Sequence, residues 1–134
     1  MAERLIHALL DTSAIIASSD AITLGPEDTA AISVITLGEL HAGVHLAVDP
    51  SARAQRQARL AAVRAAFVPV AIDEPIAQTY GELLSIARKA KRPSKATDLL
   101  IIATAWATGR TLVTLDDSQA SLARLAGVPI SVDD

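Results

Sequence analysis

The chain reads as an α/β domain: a central parallel sheet of about four to five strands with helices on both faces. Three observations carry that reading. Short apolar runs alternate with helix-length segments along the whole chain. The runs lack in–out alternation, as strands covered on both faces do. Turn and capping residues fall between the segments rather than inside them.

Taken in order, residues 5–10 form the first strand, a continuous apolar run ending at Asp11. Asp11-Thr12-Ser13 supplies capping side chains for a short helix, Ala14 to Ser18. Gly25-Pro26 marks a turn, and residues 30–34 a second strand. From Thr36 to about Val48, Leu37, Leu40, Val44 and Val48 recur at three- and four-residue spacing, which predicts a helix. Asp49-Pro50-Ser51 breaks it and caps the next, roughly 51–66. Phe67 to Ile72 is the third strand.

Asp73-Glu74-Pro75 opens a long helix that runs to about Ala90. Its acids lie at the start and Arg88-Lys89 at the end, which complements the helix dipole. Pro93 stops it. Ser94 or Thr97 is expected to cap the following helix, which runs through Trp106 to Thr108, with Gly109 as its C′ residue. Residues 111–115 form a fourth strand, 118–125 a short helix, and Val128 to Val132 a last strand. With 134 residues and no linker, repeat or low-complexity stretch, residues 1–134 are expected to make one domain.

Composition excludes several classes of function. There is no Cys, so disulfides, thiolate metal sites and Cys nucleophiles are out, which fits a reducing cytoplasm. One Phe, one Trp and one Tyr leave little for base stacking. No uncharged apolar run approaches the roughly 20 residues a membrane span needs. His7, His41 and His45 are not spaced as a zinc cluster; His41 and His45 are four apart on a helix but have no third ligand nearby. His7 is read as a packed or edge histidine. Net charge is −3. Basic residues nevertheless gather at Arg53, Arg56, Arg59 and Arg64, and again at Arg88, Lys89, Lys91, Arg92 and Lys95. The first cluster reads as a solvated helix face, and Ala58, Ala61, Ala62 and Ala65 beside it as helix packing. The second leads directly into Asp98.

Four acids interrupt or border core-forming segments: Asp11, Glu39, Asp98 and Asp116. An ionised carboxylate in apolar surroundings is costly unless a cation pairs with it. Four such residues suggest one shared divalent cation, and hard oxygen ligands suit Mg²⁺ or Mn²⁺. Asp11 and Asp116 end strands; Glu39 and Asp98 lie on helices packing against them. In open α/β sheets ligands bind beyond the carboxyl ends of the strands, at the topological switch point. Without metal the acids repel, by about 4 kcal/mol per pair at 4 Å and an effective dielectric near 20. At least one pKa should then be raised. Phosphodiester hydrolysis suits this chemistry best. There is no phosphate loop, no dinucleotide fingerprint and no serine nucleophile elbow. Asp11-Thr12-Ser13 lacks the second Asp of an aspartate-nucleophile phosphatase.

Four blocks in order resemble the PIN-domain ribonucleases, in particular the VapC-type toxins of bacterial toxin–antitoxin pairs. They are Leu9-Leu10-Asp11-Thr12-Ser13, Ser33 to Gly43 around Glu39, Thr97-Asp98-Leu99-Leu100-Ile101-Ile102-Ala103, and Leu112-Val113-Thr114-Leu115-Asp116. The resemblance implies Mg²⁺- or Mn²⁺-dependent endonucleolytic cleavage of RNA, in the cytoplasm. It implies a homodimer that forms a larger complex with a cognate VapB-type antitoxin. It implies that Asp11, Glu39, Asp98 and Asp116 hold metal and activate water. Thr114 is expected to orient the last carboxylate, with Thr12 or Ser13 helping at the first. Arg92 and Lys95 are candidates for RNA phosphate contact by position. Asp11→Asn is expected to abolish cleavage and leave the fold intact or stabilised. The sequence departs from the family after the fourth acid, where Asp117-Ser118-Gln119-Ala120-Ser121 has no aromatic. Asp116 is preferred to Asp117 because it follows Thr114 by two residues. The alternatives are a catalytically silent PIN-like protein-interaction domain and a small-substrate metal phosphatase.

Overall fold

The structure, a computed structural model, describes residues 7–17 and 29–131. The expected turn at Gly25-Pro26, together with Leu5, Ile6, Ser18 and Val132 at the margins of expected elements, lies outside them.

The elements alternate as β1 (His7–Leu10), α1 (Thr12–Ala17), β2 (Thr29–Ser33), α2 (Val34–Leu46), α3 (Pro50–Ala66), β3 (Pro69–Val70), α4 (Glu74–Lys89), α5 (Ala96–Ala107), β4 (Thr111–Val113), α6 (Asp117–Leu125) and β5 (Ile130–Ser131). The sheet is five-stranded in the order β3-β2-β1-β4-β5, and every pairing is parallel. β1 is central. The chain first moves outward through β2 and β3, then returns to the other side of β1 with β4. The switch point therefore lies between β1 and β4, beyond their carboxyl ends.

Alternation along the strands divides the core in two. Leu9, Ala31 and Leu112 face one layer, packed with Ile76 and Leu83 of α4, Leu99, Ile102 and Ala103 of α5, and Leu122 of α6. Ala8, Leu10, Ile32 and Val113 face the other, with Ala14 of α1, Leu40 of α2 and Val63 of α3. Leu9, Ile32 and Leu112 have no exposed surface at all. Each contributes about 1.5–3 kcal/mol of burial energy relative to exposure.

Several boundaries follow local chemistry. Ser33 Oγ accepts from Ile35 N at 3.0 Å, so α2 starts directly from the end of β2. Asp49 and Asp73 cap α3 and α4, each with Pro in the first turn. Arg56 Nη1 donates to Gly43 O at 2.6 Å, tying α3 back on α2. His7 is neither packed nor at a sheet edge: it is exposed at the start of the central strand β1, and its Nδ1 lies 2.8 Å from Thr29 Oγ1 of β2.

Three expectations are corrected. Neither Ser94 nor Thr97 caps α5: Lys95 occupies the N-cap and makes no side-chain capping bond, while Ser94 Oγ donates to Arg92 O and Thr97 is already helical. β3 is two residues rather than Phe67 to Ile72, because it pairs only with β2 and Pro69 brings no N–H. β4 ends at Val113 rather than 115, because Leu115 N turns to Ser13 Oγ at 3.0 Å.

Candidate active site

The end of β1 and the start of α1 place the first acid. Asp11 N donates to Val113 O at 3.1 Å, which fixes the residue against β4. Its side chain is 4% exposed. Oδ1 accepts from Ser13 Oγ at 2.6 Å and from Ala14 N at 3.1 Å, and so caps α1. Oδ2 accepts from Thr114 Oγ1 at 2.5 Å. Among the described residues, three neutral donors serve this buried carboxylate. They leave acceptor capacity on Oδ2.

Thr114, which the resemblance implied would orient the last carboxylate, meets Asp116 through the main chain and the first acid through its carboxylate. Its hydroxyl donates to the first acid and accepts from Asp116 N at 3.0 Å. The reason is topological: parallel pairing of β1 with β4 puts Thr114, fully buried, beside Asp11. Ser13 Oγ reinforces the same junction, lying 3.3 Å from Thr114 Oγ1.

Glu39 reaches the site from α2, where Thr12 Oγ1 donates to its Oε1 at 2.5 Å. Thr12 thus serves the second acid and Ser13 the first. Asp98 lies in the first turn of α5 and is half-buried. Asp116 is exposed and caps α6, its Oδ1 accepting from Gln119 N at 3.1 Å. Asp117 is the first helical residue and does not line the cleft, which supports the choice of Asp116.

The four acids line one cleft of about 200 Å³ with Thr12, Ser13, Lys95, Ile101 and Gln119. Their proximity is felt electrostatically. The Asp98 carboxyl is pushed above its ordinary value of 3.8, first by burial, then by repulsion from Glu39, Asp116 and Asp11; Lys95 opposes the shift. Arg92 does not line the cleft, whereas Lys95 stands at it. His41 and His45 are exposed on α2, outside it.

The donor set is all hard oxygen, as Mg²⁺ or Mn²⁺ requires. Among the described residues no three acid or histidine side chains are already gathered at coordination spacing. Hydrogen bonds from Thr12, Ser13, Thr114 and the Gln119 N–H at the α6 start fix the Glu39, Asp11 and Asp116 carboxylates individually. The residues fit a cation that takes a few carboxylates and fills its remaining positions with water, not an all-protein cage.

Gln119 and Ile101 line the cleft without having been singled out in the sequence. For Gln119 a signal existed. Asp116-Asp117-Ser118-Gln119 has the spacing of a capping box, which marks its side chain as a potential hydrogen-bonding partner at the α6 start.

The sheet order and the acid-lined cleft at its switch point define an open, all-parallel α/β protein with its candidate site beyond the carboxyl ends of β1 and β4. The model of the PIN domain matches residues 6–125, and the chain belongs to the PIN-domain family. It is similar to Ribonuclease VapC4 of Mycobacterium tuberculosis, 36% identical over 120 residues, spanning 87% of this chain and 91% of the relative. Ribonuclease VapC8 of the same organism is 41% identical over 101 residues, spanning 72% and 88%. Among solved structures, the VapBC-5 member of the VapBC toxin–antitoxin family from M. tuberculosis superposes with a TM-score of 0.79 at 31% identity, covering 93% of this chain and 96% of that one.

Proposed function

We propose that this protein is a metal-dependent endoribonuclease, the toxin of a type II toxin–antitoxin system, acting in the cytoplasm. The observation that carries the reading is the meeting of Asp11, Glu39, Asp98 and Asp116 in one cleft at the β1/β4 switch point, with Lys95 at its side. The named activity of the similar VapC proteins supports it.

Asp11, Glu39, Asp98 and Asp116 would hold Mg²⁺ or Mn²⁺. When bound, the ion supplies positive charge for phosphoryl oxygens and lowers the pKa of water. The protein's own groups do the rest. Thr114 and Ser13 fix the Asp11 carboxylate, and Thr12 fixes Glu39. Asp98, whose charged form is disfavoured by burial and by the neighbouring acids, is the carboxylate whose repulsion a bound cation would relieve most directly. Lys95 offers an ammonium to an RNA phosphate, and Arg92 a second contact further along the strand.

The partners follow the same reading: RNA as substrate, a second copy of the chain in a homodimer, and a VapB-type antitoxin in a larger complex. The solved VapBC-5 complex supports the last. No helix among the described residues is long and apolar enough to cross a membrane. The silent-domain alternative draws no support from the site, since all four acids are present and share the cleft.

The test is cleavage of total cellular RNA by purified protein with Mg²⁺, with Mn²⁺ and with EDTA, beside Asp98→Asn. Metal-dependent cleavage that disappears in the variant is the expected result. Cleavage persisting in EDTA or in the variant would overturn the proposal.

A further inference from the structure

Gln119 is a buried polar side chain, 4% exposed, at a cleft whose hydrogen bonding otherwise belongs to the acids and the hydroxyls beside them. Its backbone N–H donates to Asp116 Oδ1, the α6 cap, at 3.1 Å. In a capping box its side chain would turn back to the Asp116 N–H. Here that N–H is already taken by Thr114 Oγ1. The Gln119 amide instead crosses to the neighbouring helix, and Nε2 donates to the backbone carbonyl of Asp98 at 3.2 Å. One residue is thus bonded to both acids: to the Asp116 carboxylate through its backbone, and to the Asp98 main chain through its side chain.

From this geometry we infer that Gln119 is a positioning residue, a strut between the first turns of α5 and α6 that fixes the separation of Asp98 and Asp116 and so tunes the affinity of the cleft for a divalent cation. The two acids repel across the cleft, and no side-chain cap anchors the start of α5. Without a strut the two helix starts are free to relax apart, and the cation must draw them together at a cost in affinity. The inference rests on the metal-dependent reading of the site.

Gln119→Met keeps the volume and removes the donor; Gln119→Leu serves if the first does not fold. Mn²⁺ affinity is measured by titration calorimetry on the purified full chain, and thermal unfolding is followed in EDTA. The expected result is Mn²⁺ binding weakened roughly tenfold, in the range for loss of an outer partner of a metal ligand, with the melting temperature in EDTA lowered by only a few degrees, as loss of one neutral hydrogen bond does. Mn²⁺ affinity within twofold of the parent chain, in a folded variant, overturns the strut while leaving the metal site standing. A parent chain that binds no Mn²⁺, measured beside Asp98→Asn as a blank, overturns the metal reading and the strut with it.

Discussion

Thr114 Oγ1 donates a 2.5 Å hydrogen bond to Asp11 Oδ2, joining two residues 103 positions apart in sequence. The bond closes the junction between β1 and β4 at the point where the cleft opens. Both residues are buried, 0% and 4% exposed. The site's first acid is therefore part of the core, and among the described residues its partners are neutral donors.

Thr114→Val keeps the shape and removes that donor. Asp11 Oδ2 would stay buried with one partner fewer, and Asp116 N would lose its acceptor. The variant should be less stable by about 1.5–3 kcal/mol, the usual worth of a hydrogen bond to a charged group. RNA cleavage should fall as well. Urea unfolding monitored by circular dichroism checks the first point, and an undiminished midpoint would contradict it.

Asp11→Asn and Asp98→Asn should part company in stability, although both should abolish cleavage. Asp11 accepts from three donors, so an amide at that position would turn an N–H toward one of them. Stabilisation of Asp11→Asn, expected from charge repulsion alone, is thus replaced by a fall in melting temperature. Asp98 is disfavoured in its charged form by burial and by three neighbouring acids. Asp98→Asn should raise the melting temperature of the metal-free protein at neutral pH. Differential scanning calorimetry of the pair in EDTA decides it.

The raised Asp98 pKa also fixes a pH dependence. Between the ordinary value of 3.8 and the higher folded value, the native state holds a proton that the unfolded chain has released. Within that window the group's contribution to stability therefore falls as pH rises. In EDTA, Asp98→Asn should remove this component from the stability–pH curve. Superimposable slopes for the two proteins would refute the assignment.

Metal should act as a stabilising ligand. Binding to the native state alone adds about 2.7 kcal/mol at a hundredfold excess over Kd. Saturating Mn²⁺ should raise the melting temperature, EDTA should reverse the rise, and the rise should vanish in Asp98→Asn. A shift of equal size in that variant would place the ion elsewhere.

Lys95 lines the cleft and Arg92 does not, so the two should differ as RNA contacts. Replacing Lys95 by Ala should flatten the salt dependence of single-stranded RNA binding by about 0.7 in log–log slope, one phosphate's worth. Arg92→Ala should do less. Filter binding from low to moderate salt, with cleavage blocked by EDTA, measures both slopes; equal losses would show that proximity to the acids does not select the contact.

Much of the architecture was legible locally. Apolar runs, Asp-Pro starts at Asp49-Pro50 and Asp73, and the Gly109 stop at φ +66° report helix and strand chemistry that acts within a few residues. The ends of β3 and β4 were not legible, because pairing partners and the Ser13–Leu115 contact decide them. The four acids were legible because charge bordering runs of Leu, Ile and Ala is conspicuous, although only Asp11 proves to be fully buried. Their partners were not. Thr114 was matched to the acid two residues away, whereas the parallel register hands it to the one 103 residues away.

The sequence by itself determined that this chain makes a two-face parallel sheet and carries four acids at element boundaries, since periodicity and capping are short-range properties. Only the tertiary structure decided which hydroxyl serves which acid, that Lys95 stands in the cleft and Arg92 outside it, and that Gln119 leaves its own helix cap for Asp98. Those choices depend on strand order and on how helix starts converge beyond β1 and β4. They are long-range relationships that spacing along the chain does not encode.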